Sequence, residues 1–153
     1  MSDTLTDLVS VHLTINEYEF VRHLAPQIEA HPNQLSETLK PIIARGQAIT
    51  QDQYEDAMEV RASATQFFDK HFNDFDAIVS PSTTGEPPLM TKGTGDPVFC
   101  RMASLVGLPA VTLPILVGQN DLPIGVQLIG ALEEDDRLMR TARWLQTALS
   151  EED

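Results

Sequence analysis

The sequence is short of cysteine, of cations and, in its first half, of glycine, and each shortage closes off a class of function. A single cysteine, Cys100, among 153 residues cannot form an internal disulfide or complete a Cys-x-x-Cys redox or metal motif. It reads as a buried or half-buried small hydrophobe, with a reactive thiol as the alternative. Ten Lys and Arg stand against 23 Asp and Glu, a formal net charge of -13, so attraction to phosphate backbones or anionic lipid is disfavoured. Neither nucleic acid nor a membrane is an expected partner. No apolar run reaches the roughly 18 residues that a membrane span requires. The opening MSDTLTDLVSVHL carries acids where a secretory leader carries Lys or Arg, and a cytoplasmic location is the expectation.

Catalytic signatures are missing as well. A serine nucleophile on a tight elbow needs flanking glycine, and none of Ser2, Ser10, Ser36, Ser63, Ser80, Ser82, Ser104 and Ser150 has one beside it. The histidines, His12, His23, His31 and His71, all lie in the first half without zinc-binding spacing. Neither Gly-x-Gly-x-x-Gly nor a phosphate-binding loop occurs, and Gly93-Thr94-Gly95 alone is too short to cradle phosphate. No cofactor and no metal are expected, and no residue is assigned a catalytic role. The run Glu133 to Asp136 is read as helix-start chemistry, with a carboxylate metal site as the sharper alternative.

What is present divides in two. Of eight glycines only Gly46 precedes residue 80, and the first half reads as helical. Tyr18, Val21, Leu24 and Ile28 fall at helical spacing between Asn16 and Ala30, with Pro26 marking a kink or early stop. A short helix is predicted from Ser36 to a stop at Gly46. Thr50 and Gln53 have capping-box spacing, so Gln51 to Phe72 is predicted as a helix with Tyr54, Ala57, Met58, Arg61, Thr65, Phe68, Phe72 and Phe75 on one face. That aromatic stripe reads as core packing.

At Asp76 the period changes. Ala77 to Val79 suits a brief strand ending at Pro81, and the loop SPSTTGEPPLMTKGTGDP that follows is longer than usual for a compact domain. A helix from Val98 to Leu105 is predicted, with Asp96 as N-cap, Pro97 at its first position, and Gly107 and Pro109 ending it. Ala110 to Val117 and Gly125 to Ile129 read as a hairpin across GQNDLP, with Pro114 placing the first strand at an edge or interrupting it. The last helix carries Leu138, Ala142, Leu145 and Leu149 on one face. The whole is a single domain, a helical lobe over 1–75 and an α/β lobe over 76–153 with the loop 80–97. Three short strands leave sheet edges that need covering. The loop is the best candidate for a ligand contact. Thr94, Gly95 and Asp96 stand before a helix start, where backbone N–H groups meet polar ligands, although capping is the plainer role for Asp96.

Three strings carry a resemblance: FDAIVSPSTTGEPP from Phe75, TGDPVFCRMASLVGLPAVTLP, and LPIGVQLIG before the acidic helix start. Together with Tyr54, Ala57 and Arg61 on the long helix, they resemble the C-terminal part of the amidase signature family over residues 50 to 147. The resemblance implies a partial version of a fold with a large mixed sheet flanked by helices, here a helical first half and a small mixed sheet. It implies hydrolysis of amide carbon–nitrogen bonds by a serine nucleophile, activated through a second serine and a lysine in a Ser-rich segment. No position here corresponds to that segment, and Lys40, Lys70 and Lys92 are not carried over as its base. The resemblance puts Thr94, Gly95, Asp96 and Phe99 on the substrate side of the pocket.

Two readings follow. In one, the chain supplies fold and a substrate-side pocket for a small amide, is inactive alone, and works with a complementing N-terminal amidase portion. In the other it is a stand-alone pseudoenzyme or interaction module that self-associates through exposed sheet edges. An autonomous enzyme built on Cys100 lacks the histidine and glycine context that such chemistry needs.

Overall fold

The computed structural model describes residues 7–150, without the Ser150 side chain. Ser2, with the rest of residues 1–6, and residues 151–153 lie outside the described residues. The backbone forms two compact units, one ending at Ser63 and the other beginning at Ala64.

The first unit is helical. Helix α1 spans Leu8–His23, α2 Ala25–Ala30 and α3 Leu39–Ala48, and α4 begins at Gln51 and runs to His71. The helix expected from Asn16 starts earlier, at Leu8, and no side-chain cap announces that start. It breaks at Leu24, and Pro26 sits in the first turn of α2, where a missing N–H costs nothing. Ile15, Tyr18, Val21, Ile43 and Ala57 are buried. Glu17, 6% exposed, receives Arg45 in a forked ion pair, with Nε 3.0 Å from both carboxylate oxygens. Tyr18 and Tyr54 stack with ring centroids 4.2 Å apart.

Gly46 does not stop α3, which continues to Ala48. The glycine is needed for a different reason. A Cβ there would overlap the Glu17 carbonyl oxygen and lie 2.5 Å from Val21 Cγ2, so Gly46 is where α1 and α3 come close. The start of α4 is as predicted: Gln53 N–H donates to Thr50 Oγ1 at 3.2 Å and Thr50 N–H to Gln53 Oε1 at 2.9 Å.

The second unit holds the end of α4, strands β1 (Ile78–Pro81), β2 (Ala110–Val117) and β3 (Pro123–Ile129), and helices α5 (Val98–Val106) and α6 (Asp135–Ser150). The sheet order is β1-β3-β2. Where a mixed sheet is expected, both pairings among the described strands are antiparallel, because β2 and β3 are joined by a tight hairpin and β1 lies on the far side of β3. Flanked on both sides, β3 is the most buried strand, with Leu128 and Ile129 each 1% exposed. The register of β2 against β3 shifts between Leu113 and Leu116, around Pro114, which has no N–H to offer the ladder. Leu138 and Ala142 of α6 pack on Leu113 and Leu128, with Ala77, Val111, Ile115 and Leu145 around them.

Phe68 and Phe72 are buried as the aromatic stripe predicts, but Phe75 lies past the end of α4 and is 54% exposed, its ring stacked on His71. Arg137 Nη2 lies 3.1 Å from Asp76 Oδ1 and 3.4 Å from the Phe72 carbonyl oxygen, tying α6 to the segment that leaves α4. No helix among the described residues is long and apolar enough to cross a membrane.

Candidate functional site

The loop after β1 folds back on the hairpin and encloses a cleft of about 370 Å³. The loop gives it a wall of Ser82 to Pro88 together with Thr94, Gly95 and Asp96, and the hairpin gives it Thr112 and Pro114 of β2 with Pro123 and Gly125 of β3. Three of the four predicted site residues therefore line one cavity. Phe99 does not: it stands in the first turn of α5, and its carbonyl oxygen accepts from Gln127 Nε2 at 3.1 Å.

Asp96 is not the N-cap of α5. Pro97 holds that position, with no side-chain cap, and α5 begins at Val98. The Asp96 carboxylate turns instead to Arg101, Oδ1 to Nη2 3.7 Å, and remains largely exposed. Pro97 has φ -81° and ψ 24°, and its carbonyl accepts the first helical bond from Cys100 N–H at 2.9 Å. The ring itself preorganises the entry, so no carboxylate is required there. At the other end Gly107, in the left-handed region, closes α5 as expected.

A polar knot adjoins the cleft. Gln127, 3% exposed in the central strand, donates to Phe99 O and, at 3.3 Å, to Ser80 Oγ. Cys100 Sγ lies 3.8 Å from Gln127 Oε1 and 3.7 Å from the Ser82 carbonyl oxygen. This knot couples α5, β1 and β3 at the cleft wall, and it gives Cys100 a weak donor role in a half-buried position. The sequence offered one signal for it, a lone amide in the apolar string LPIGVQLIG. Glu86 and Asn120, which join loop to hairpin, gave none.

Chemically the cleft is a mainly apolar surface, with Pro87, Pro88, Pro114 and Pro123 in its lining, that carries a few polar groups. Threonine and serine hydroxyls and loop backbone face it, and Glu86 is occupied by Asn120. Among the described residues, no histidine, lysine or cysteine lines it. No group of three or more His, Cys, Asp and Glu side chains poised to hold a metal occurs among the described residues. The arrangement can orient a polar ligand by hydrogen bonds, but it pairs no hydroxyl with a base in the manner of an activated nucleophile.

The chain is 38% identical over 103 residues to a glutamyl-tRNA(Gln) amidotransferase subunit from Jannaschia sp., covering 62% of this chain and 21% of that protein. It is 31% identical over 103 residues to the corresponding protein from Alkaliphilus metalliredigens, covering 63% of this chain and 21% of that one. It thus spans about a fifth of the length of the curated relatives it matches. The crystal structure of an amidase superposes with a TM-score of 0.80 at 24% identity, over 96% of this chain and 36% of that one, a likeness of fold. The sequence profile described as Amidase matches residues 2–139. The chain accordingly belongs to the amidase family.

Proposed function

We propose that these residues form the C-terminal, substrate-side part of an amide carbon–nitrogen hydrolase and supply fold and binding surface, not the serine, serine and lysine of the chemistry. The observation that carries this reading is the cleft itself. It gathers Thr94, Gly95 and Asp96 with Ser82 to Pro88 in one mainly apolar cavity whose few hydroxyls can hold an amide, and among the described residues no histidine, lysine or cysteine lines it to activate an attack. The nucleophile, base and oxyanion donors then come from groups outside these 153 residues, since such groups act as a unit and supply most of the rate. The partner is a complementing amidase portion, and the ligand is a small amide. The acid-rich sequence with its single cysteine supports a cytoplasmic setting for it.

A second reading, self-association as a pseudoenzyme, draws on the sheet edges. Val79 on β1 is 62% exposed, and Leu116 and Val117 on β2 are 50% and 71% exposed. Both strands are edges of the described sheet.

The test is amide hydrolysis by the purified chain over aliphatic and aromatic amides, with oligomeric state read in the same sample by light scattering. The proposal expects no turnover. Turnover that persists through two columns and disappears when a residue of this chain is mutated overturns it, and an inert, stable homodimer favours the second reading.

A further inference from the structure

We propose that Glu86 is the positioning residue of the cleft: clasped by Asn120, it pins the wall formed by Ser82 to Pro88 onto the β2–β3 turn and sets the opening through which an amide enters. The inference rests on the amidase reading of the cleft, but its first readout does not require a substrate.

The Glu86 carboxylate accepts from Asn120 backbone N–H at 2.7 Å and from Asn120 Nδ2 at 2.5 Å. The two residues are 34 positions apart and belong to different elements, so the bond is a true tertiary clasp. The turn is shaped to receive it. Gly118 N–H bonds Leu122 O at 2.9 Å and Asp121 N–H bonds Gly118 O at 3.3 Å, while Asp121 adopts φ 58°. This geometry leaves the Asn120 N–H free to point out of the hairpin. A Cβ on Gly118 would overlap the Glu86 carboxylate, so the side chain lies directly against the turn backbone. Neither the bare approach at Gly118 nor the outward N–H at Asn120 is needed to close a hairpin.

The loop has few other attachments. Ser82 N–H reaches Gly125 O at 3.0 Å at its start, and Asp96 meets Arg101 at 3.7 Å at its end. Between them Leu89 is 70% exposed and Met90 95% exposed, and Thr83 and Lys92 bond only within the loop. Glu86 is therefore the one side-chain anchor in the middle of the wall among the described bonds. The Asn120 donors hold its carboxyl below the usual carboxylate range, so the clasp stays ionised at neutral pH.

Trypsin reports the position of the loop, because Lys92 is exposed within it. Cleavage after Lys92 follows the population of the open loop, and Glu86→Ala is expected to raise its rate about fivefold or more with the thermal midpoint unchanged. Glu86→Gln restores slow cleavage, since its amide still accepts from the Asn120 backbone and an inverted Asn120 side chain completes the pair. The double variant Glu86→Ala with Asn120→Ala cleaves no faster than Glu86→Ala alone, the signature of a shared contact. Unchanged cleavage in Glu86→Ala, or a rise matched by a falling midpoint, overturns the proposal. Asn120→Ala, on an exposed turn, removes the side-chain donor and keeps the backbone one, so it raises cleavage by a smaller factor, and no rise in the folded Asn120→Ala chain overturns the proposal if Glu86→Ala does not fold. In a second measurement, butyramide is titrated against the wild-type chain and Glu86→Ala by NMR. A changed dissociation constant supports the clasp as a determinant of the amide site. An open loop with butyramide binding absent from both chains overturns the amidase reading of the cleft on its own.

Discussion

The side-chain amide of Gln127 lies 3.1 Å from the carbonyl oxygen of Phe99 and joins the central strand to the first turn of α5 at the wall of the cleft. Gln127 is 3% exposed, so water cannot replace what it supplies. Gln127→Leu is expected to lower the unfolding free energy by about 1–3 kcal/mol, the cost of losing the amide's two bonds, to Phe99 O and Ser80 Oγ, in a dry place. Urea denaturation checks this, and a loss under about 0.5 kcal/mol means the carbonyl finds another partner.

Gly46 gives a prediction whose sign runs against propensity. Alanine in the middle of an ordinary helix gains about 1 kcal/mol over glycine. At Gly46 the new Cβ meets Glu17 O and Val21 Cγ2, and backbone cannot retreat as a flexible side chain would. Gly46→Ala is expected to destabilise the first unit by about 1–3 kcal/mol, as read by chemical denaturation. A more stable variant would show that α1 and α3 separate at little cost.

Asp96→Ala separates the capping role from what is observed. With Pro97 at the cap and the Arg101 contact exposed, the substitution is expected to leave the unfolding free energy within about 0.5 kcal/mol. A loss of about 1 kcal/mol is the cost of a true N-cap and would restore that assignment.

Tyr54 carries the pH prediction. Its hydroxyl donates to Glu19 Oε1 at 2.8 Å, and this bond, with burial and the Glu19 charge behind it, raises the phenol above its ordinary 10.0. A raised folded-state pKa means the stabilisation is complete below about pH 10, the unfolded value, and disappears as pH climbs through the folded value. Glu19→Gln removes the charge, and the Tyr54 ionisation should move down toward 10.0 in an ultraviolet absorbance titration. No movement would show that Glu19 does not bear on Tyr54.

Local signals are reliable where they act within a turn or two of backbone. Thr50 and Gln53 announce α4 because a capping box is closed by groups three residues apart. Gly107 and Pro109 end α5, and Pro114 breaks the β2 ladder, because dihedral freedom and a missing N–H belong to the residue itself. Asp96 misleads for the same reason that it attracts notice: a carboxylate before a proline satisfies the cap pattern, yet the proline ring already fixes the entry and Arg101 competes for the charge.

The sequence by itself determined the helical first half, the hairpin and the loop that could hold a ligand, since periodicity, caps and turn residues express backbone energetics over short spans. Only the tertiary structure decided that Gly46 serves a helix contact and not a stop, that Thr94, Gly95 and Asp96 share a cleft while Phe99 stands behind it, and that Glu86 meets Asn120 across 34 positions. Those contacts depend on strand register and helix approach, which are set by the burial of residues far apart in the chain and are present in no local window.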